Sequence, residues 1–308
     1  MGNEYSDYLK FIDDSLEVAK SIPRYFSKYS NKIYCNHQKL AIYILMQKLK
    51  TTTRGIASML RASSDMRLHL GLSRVPVHST IVRFIKKARK YMSKILEIRQ
   101  AVNVAVDSTG FELESKSYYY RTVWNSNTRH KTKKFMKLSI AVDMDKQLIL
   151  THKIRKSRTH DTMDFKFLVK ELKCKNIVAD KGYDSMSNRN FVARNLKARS
   201  HIPYRKNSGI AKRGRLIIPR LDKKLYNKRS IIENIFFCIK RKYGSVLRNR
   251  SYATQKVELI SKLITHNIDK MQYYILFIFR DAPAHANLNF PSFADAHSAA
   301  QHQGMLAK

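Results

Sequence analysis

Three carboxylates stand out in a chain that is otherwise rich in lysine and arginine. Asp107 closes the apolar run "AVNVAVD" (101–107), Asp180 closes "NIVAD" (176–180), and Glu233 lies in "LYNKRSIIENIFFCIKRKYG" (225–244). Carboxylates that converge repel one another, and a hard divalent cation such as Mg²⁺ or Mn²⁺ relieves that repulsion. Two such ions about 4 Å apart can activate an attacking oxygen and stabilise a leaving oxygen at a phosphodiester. Taken singly, Asp107 and Asp180 are also typical of turns and helix caps.

Both aspartates are predicted to lie at the carboxyl end of a strand, because each follows a short apolar run. Around them the patterns predict a hairpin (137–154), helices at 161–173 and 185–197, and a further short strand. Strands that alternate with helices behind a hairpin indicate an α/β layer with a mixed sheet. Ligand sites in open α/β sheets form at the carboxyl ends of strands, so Asp107 and Asp180 would point into one crevice.

Residues 225–244 are predicted to form one amphipathic helix. At 100° per residue, Tyr226, Arg229, Glu233 and Lys240 share an arc of about 60°, and the isoleucines lie opposite. We therefore expect the isoleucines to face a core and the four polar residues to face outward. Arg229 and Glu233 are i, i+4 neighbours, so an ordinary charge pair on a solvated face is the alternative.

Residues 1–100 are predicted to be helical, with apolar spacing in 39–49 and in 79–98. Ser79 and Thr80 are the candidate N-caps of the second segment. A turn that contains Gly and Pro precedes it, and the helix is rich in Lys and Arg. This order is typical of a DNA-binding helix-turn-helix, and equally of a purely structural bundle.

The charge balance points to a polyanionic partner. Lys and Arg number 60 against 23 Asp and Glu, an excess of 37 positive charges that strains a compact chain by self-repulsion. Nucleic acid is the leading partner and an anionic membrane the second. Apolar runs such as "YYILFIF" (273–279) fall far short of the ~18 residues of a spanning helix, so no membrane partner is expected.

The three cysteines, Cys35, Cys174 and Cys238, are scattered and form no C-x-x-C motif. Such usage indicates reduced thiols in an intracellular protein.

The dipeptide "HD" at 160–161 is compatible with the His-Asp metal pair of a phosphohydrolase. That chemistry needs further His and Asp ligands at helical spacing, and none is evident in the sequence. Asp161 is therefore predicted to cap the helix that follows it.

The segment 117–137 interleaves tyrosines and a tryptophan with six Lys or Arg. Stacking aromatics beside cations suit a DNA surface. An exposed hairpin with a solvated charge run is the alternative.

Five stretches together carry a family resemblance. They are "VDST" (106–109), "HD" (160–161), "ADKGYDS" (179–185), "IPYRKNS" (202–208) and "YNKRSIIENIFFCIK" (226–240). The last has the spacing Y, two residues, R, three residues, E, six residues, K. With these motifs the chain resembles the DDE transposases of bacterial and archaeal insertion sequences, in the group named for IS four and IS five. The resemblance covers about 101–270.

The resemblance implies an RNase H-like fold, a mixed sheet flanked by helices and preceded by an all-helical N-terminal domain. Asp107, Asp180 and Glu233 would be the catalytic residues and the ligands of two Mg²⁺ or Mn²⁺ ions. The implied domains are a helical one at 1–100, a catalytic one at 101–280, and a loosely ordered tail at 281–308.

Tyr226, Arg229 and Lys240 would bind DNA, according to the same resemblance. The implied enzyme is a cytoplasmic, nucleoid-associated protein that works as a homodimer on DNA. It would bind the inverted repeats at the ends of its element, hydrolyse a phosphodiester and use the freed 3′-hydroxyl to attack target DNA. The alternatives are an RNase H-like nuclease that cuts without joining, and a DNA-binding protein that no longer catalyses.

Overall fold

The computed structural model of the chain describes residues 3–96, 98–114, 135–156, 159–204 and 221–280. Most of the aromatic and basic segment 117–137, most of the loop 203–224 and the predicted tail 281–308 lie outside the described residues. The predictions made for those segments therefore stay predictions.

Helices make up the first third of the chain and its described C-terminal part. They are α1 (Asn3–Ala19), α2 (Asn36–Lys48), α3 (Thr53–Ala62), α4 (Ser64–His69), α5 (His78–Met92), a 3-10 turn (Ser93–Leu96) and α10 (Tyr252–Arg280). Among the described residues, no helix is both long and apolar enough to cross a membrane.

Strands and shorter helices alternate in between. They are β1 (Asn103–Leu113), β2 (Phe135–Asp143), β3 (Ile149–Arg155), α6 (Thr162–Val169), β4 (Asn176–Ala179), a 3-10 turn (Lys181–Tyr183), α7 (Met186–Asn195), β5 (Arg199–His201), α8 (Lys223–Asn227), α9 (Ser230–Tyr243) and β6 (Val246–Leu247).

The chain divides into two compact units, which we call the helical unit and the sheet unit. Among the described residues, the helical unit comprises 3–96, 242–244 and 253–280, and the sheet unit comprises those that lie between 98 and 241 and those at 245–252. The helical unit has its own apolar core, in which one or more fully buried side chains come from each of α1, α2, α3, α5 and α10. Examples are Phe11, Ile44, Leu60, Ile81 and Leu263.

The C-terminal helix α10 belongs, from Ala253 onward, to the helical unit. Lys48 of α2 forms an ion pair with the buried Asp269 at 2.5 Å, and Thr265 Oγ1 lies 3.5 Å from the carbonyl oxygen of Ile44. Side chains of α10 thus pack among the N-terminal helices, and the predicted domain bounds stay predictions. The functional roles predicted for the domains stay predictions.

Helix α5 begins one residue earlier than its predicted N-caps. Val77 occupies the N-cap position in an extended conformation (φ −69°, ψ 151°) and makes no side-chain capping bond. Ser79 and Thr80 lie inside the first turn, where the Thr80 N–H donates to the carbonyl oxygen of Val77 at 2.9 Å. The prediction was wrong because the chain is already helical from His78, so Ser79 and Thr80 lie too far along it to cap the helix.

The sheet has the strand order β3-β2-β1-β4-β5, with β6 paired to the far end of β1. Strands β1, β2 and β3 are antiparallel neighbours, whereas β1, β4 and β5 run parallel. A mixed sheet flanked by helices and preceded by helices confirms the predicted fold class.

The two faces of β1 have different neighbours, because successive side chains of a strand point to opposite faces. Val104 and Val106 face a buried apolar cluster that includes Phe165 and Leu168 of α6. Ser108 is the next residue on this face. Asp107 lies on the opposite face, which contacts α9 through Arg229 at the start of that helix.

The sequence predicted that β1 ends at Asp107, but the strand continues to Leu113. It continues because β2 pairs with it along its whole length, from Val104 to Glu112. On its other edge, β4 pairs only as far as Val106, and β6 begins to pair at Glu112. Among the described residues, the β1 edge from 107 to 111 therefore has no strand partner, and Asp107 lies where this gap opens.

Candidate functional site

Asp107 and Asp180 are neighbours in the sheet, as the sequence predicted. The last paired residues of the parallel ladder are Val106 and Ala179, so the two aspartates follow one step later on adjacent strands. Asp180 caps the turn that begins at Lys181, whose N–H donates to its Oδ1 at 2.7 Å. The two carboxylates thus lie at the carboxyl end of the parallel pair, where α/β sheets place their ligand sites.

The predicted helix at 225–244 is two helices, α8 and α9, separated by a turn at Lys228 and Arg229. The Arg229 N–H closes this turn on the carbonyl oxygen of Tyr226 at 2.9 Å, and the Ser230 hydroxyl donates to the carbonyl oxygen of Asn227 at 3.3 Å. The single-helix prediction was wrong because Asn and Ser favour turns and helix ends over helix interiors.

Arg229 links Asp107 to Glu233. One guanidinium nitrogen lies 3.3 Å from Asp107 Oδ2, and another donates to Glu233 Oε1 at 2.9 Å. The Glu233 side chain is 58% exposed, whereas the Arg229 and Asp107 side chains are each 21% exposed. The i, i+4 pair of Arg229 and Glu233 is therefore present, but Arg229 faces the sheet and not the solvent.

Burial raises the pKa of Asp107 to about 6, and the nearby carboxylates of Asp180 and Asp161 add to that rise. The Ser108 N–H and the Arg229 guanidinium oppose it. Burial alone would lower the pKa of Arg229, but Asp107 and Glu233 more than offset that, so its pKa is raised. Arg229 is thus the cation that partly offsets the effect of burial on the Asp107 carboxylate.

Asp107 and Asp180 fit a hard divalent cation, because such cations prefer carboxylate oxygens and the two residues follow the last paired positions of adjacent parallel strands. Glu233 does not join them, since its carboxylate pairs with Arg229. Within the described ranges, no group of three or more His, Cys, Asp or Glu is arranged to hold a metal ion. A third carboxylate ligand would require Glu233 to leave Arg229.

The sequence predicted that Lys240 faces the solvent. Its side chain instead contacts β1, on the same face as Asp107. Its Nζ donates to Thr109 Oγ1 at 2.7 Å and lies 5.5 Å from the centre of the Phe111 ring. Burial lowers the pKa of Lys240, and Glu112 partly opposes that effect. The predicted outward stripe of this helix therefore faces the sheet at Arg229 and at Lys240, because these residues contact Asp107 and Thr109 on one face of β1.

Tyr226 is partly buried in α8, directly before the turn that holds Arg229. It is close enough to Arg229 for its phenol to affect the pKa of that residue. Its predicted contact with DNA stays a prediction.

Asp161 belongs to the neighbourhood of this site, although the sequence reasoning dismissed it as a helix cap. It precedes α6 with helical backbone angles (φ −60°, ψ −35°) and makes no side-chain capping bond. Its Oδ1 instead accepts from the Ser108 hydroxyl at 2.7 Å and from Lys137 Nζ at 2.6 Å. The "HD" motif was the sequence signal. Asp161 does occupy the N-cap position of α6, but its carboxylate forms no capping bond because it contacts Ser108 and Lys137 instead.

Residues 99–268, more than half of the chain, match the family model described as the transposase DDE domain. Among solved structures, one that matches is a cryo-EM structure of the piggyBac transposase synaptic complex with hairpin DNA. It shares 9% identity with this chain at a TM-score of 0.49, and the match covers 98% of this chain and 80% of that one. A search of curated proteins returned no match.

Proposed function

Because the chain belongs to the transposase DDE domain family, we propose that it binds the inverted repeats at the ends of its own mobile element and catalyses metal-dependent DNA cleavage and strand transfer. Membership of the insertion-sequence group named for IS four and IS five is part of this proposal. The enzyme acts on DNA as a homodimer and is associated with the nucleoid in the cytoplasm.

The observation that carries the proposal is the pairing of Asp107 with Asp180 beside Arg229 and Glu233. Asp107 and Asp180 follow the last paired residues of neighbouring parallel strands, and Glu233 shares the Arg229 guanidinium with Asp107. Acidic residues that converge inside a chain with 37 excess positive charges suit a metal-dependent reaction on a polyanion.

In this proposal Asp107, Asp180 and Glu233 hold two Mg²⁺ or Mn²⁺ ions. Bound there, the ions supply activation of the attacking oxygen and stabilisation of the leaving oxygen at the scissile phosphodiester. Arg229 releases Glu233 and contacts a phosphate of the bound strand, so the same guanidinium serves the free protein as a counter-ion and the complex as a DNA ligand. Tyr226 lies beside that strand, where it stacks or forms a hydrogen bond.

The test is a strand-transfer assay that uses the DNA flanking the chain's own gene as the donor end. The proposal predicts Mg²⁺-dependent nicking at the end, followed by joining of the 3′-hydroxyl to a target duplex. Cleavage without joining would favour the nuclease alternative. Tight binding of the end without any cleavage in Mg²⁺ or Mn²⁺ would favour a DNA-binding protein that no longer catalyses.

Lys240→Ala is expected to lower single-turnover cleavage and joining by about 10-fold or more, because the ammonium group positions a phosphate near the scissile bond. A 10-fold loss corresponds to about 1.4 kcal/mol. Lys240→Arg should restore only part of the rate, since a planar fork does not reproduce a compact ammonium. The measurement is cleavage of a pre-bound end, with thermal unfolding recorded in parallel.

Thr109→Val is the matched control, because it removes the protein partner of Lys240 and keeps the cation. Both variants lose the same hydrogen bond, so we expect similar small losses of stability, of the order of 1 kcal/mol. The Thr109→Val rates should stay near those of the wild type. Equal loss of rate in the two variants would mean that Lys240 ties α9 to β1 and contacts no DNA.

A further inference from the structure

The side chain of Asp161 lies at the junction of the site and the interior of the sheet unit. Its carboxylate is 38% exposed, and one of its oxygens, Oδ1, accepts from both Ser108 and Lys137. Burial alone would raise the pKa of Asp161, but the hydrogen bonds from Lys137 and Ser108 lower it, so the group stays ionised. An ionised carboxylate that neither caps its helix nor faces only water requires another explanation.

Lys137, Asp161, Ser108 and Asp107 form a series in which each group contacts the next. Lys137 Nζ lies 2.6 Å from Asp161 Oδ1, and the same oxygen accepts from the Ser108 hydroxyl at 2.7 Å. The Ser108 N–H in turn donates to Asp107 Oδ1 at 2.8 Å. The main-chain N–H of Ser108 therefore holds the Asp107 carboxylate on one face of the sheet. The Ser108 hydroxyl is itself held by Asp161 on the other face.

The far end of this series is fixed by buried charges. Lys137 is almost fully buried in β2 and also donates to the carbonyl oxygen of Thr159 at 2.5 Å. The fully buried Asp164 accepts from Arg155 Nε at 2.5 Å and from the Ser139 hydroxyl at 3.1 Å. A buried ion pair of this kind holds its members in one geometry, because breaking it leaves an unpaired charge inside the protein.

Tyr183 is a buried residue whose hydroxyl is affected by the charges of both Asp107 and Asp161. Its side chain is 1% exposed, burial raises the pKa of its hydroxyl, and the charges of Asp107 and Asp161 add to that rise.

We propose that Asp161 is a positioning residue of the proposed active site, which orients the Asp107 carboxylate through Ser108 and is itself fixed by Lys137. Asp161 touches neither the DNA nor the metal ions. The inference rests on the proposed function, since Asp107 is a metal ligand there. It assigns the "HD" motif to the orientation of a ligand, and such supporting contacts commonly change metal affinity or activity by 10-fold to 100-fold.

The experiment compares Asp161→Asn, Ser108→Ala and the double variant in the full-length chain. Two quantities are measured: the dissociation constant for Mn²⁺ without DNA, and single-turnover cleavage of a pre-bound end. Each single variant should weaken Mn²⁺ binding and slow cleavage by about 10-fold. The double variant should be no worse than either single one, because both changes break the same series of contacts.

Two controls separate positioning from general stability. Ser108→Thr keeps the hydroxyl and should bind Mn²⁺ nearly as the wild type does, whereas Asp145→Asn removes a carboxylate from the β2–β3 turn and should change neither quantity. Unchanged Mn²⁺ affinity in Asp161→Asn, or losses that add in the double variant, would overturn the proposal. The Mn²⁺ measurement does not depend on DNA chemistry, so a chain that binds Mn²⁺ but joins no DNA would count against the proposed function alone.

Discussion

Replacement of Asp107 by Asn, of Asp180 by Asn or of Glu233 by Gln is expected to abolish DNA cleavage and to leave DNA binding close to that of the wild type. Each change removes one negatively charged oxygen from the ligands of the metal ions, and those ions supply most of the stabilisation of charge at the phosphodiester. A loss of at least ~10³-fold in single-turnover cleavage, about 4 kcal/mol, is the expected size.

The folded structure should tolerate all three substitutions. Asn at 180 still accepts the Lys181 N–H as a cap, and Asn at 107 replaces a carboxylate whose pKa is raised by burial with a neutral group. Glu233 is exposed, so Gln there costs only its ion pair with Arg229. Thermal unfolding within a few degrees of the wild type would therefore assign the lost cleavage to chemistry.

The matched control is Glu171→Gln, which removes one carboxylate from an exposed pair with Arg99 and Lys170 in the same unit. It should cleave as the wild type does. If any one of the three site variants cleaved near the wild-type rate in Mg²⁺, that residue would be no part of the mechanism. If all three did, the metal site would lie elsewhere in the chain.

The sequence predicted the neighbourhood of Asp107 and Asp180 correctly, because apolar runs that end in a polar residue are a local signal. The extent of β1 was not a local signal. Its continuation to Leu113 depends on pairing with β2 and β6, which are distant in the chain, and nothing within "AVNVAVDSTG" encodes those partners. The gap in the β1 edge follows from the same distant pairings.

The direction of the polar stripe on the last helix of the site could not be read from periodicity either. A helical wheel separates two faces but does not say which layer covers each of them. Ile232, Ile235 and Ile239 are buried as predicted, and Lys240 on the opposite side is partly buried as well, because it lies against β1. A helix packed between a core and a sheet can therefore have the same hydrophobic periodicity as a helix packed between a core and water.

DNA affinity is expected to fall steeply with salt, by about 10³-fold between about 50 mM and about 200 mM for a duplex of arbitrary sequence, if the protein contacts six or more phosphates. The physical reason is the release of counterions, one for each neutralised phosphate, and the chain carries 37 excess positive charges to provide such contacts. The measurement is a titration of labelled unrelated duplexes over a salt series. A flat response would mean that the charge serves something other than the DNA backbone.

Helix α5 offers a way to locate part of this charge, because its buried face and its exposed face are clearly distinct. Ile81, Phe84, Ile85, Ala88 and Met92 are buried, and the exposed side carries five cations and no acidic residue. A helix that binds DNA and a helix that only closes a bundle share this pattern. The two differ in whether removing the exposed cations changes the salt dependence.

The triple variant Arg83→Gln, Lys86→Gln and Lys90→Gln neutralises one stripe of that exposed face at i, i+3 and i+7 spacing. If α5 is the DNA-contacting helix of a helix-turn-helix, the slope of log affinity against log salt should shrink by about 2 to 3, roughly 0.9 for each lost phosphate contact. The core of the helical unit is untouched, so thermal unfolding should stay near that of the wild type.

The control is a triple variant that removes the same net charge elsewhere. It changes Lys170, Lys173 and Lys175 to Gln, and these three lysines are exposed in the sheet unit. A smaller slope in the α5 variant than in this control would assign phosphate contacts to α5, since total charge is equal in the two proteins. Equal slopes would leave α5 a structural helix of the bundle, because the affinity would then follow net charge and not the position of the cations.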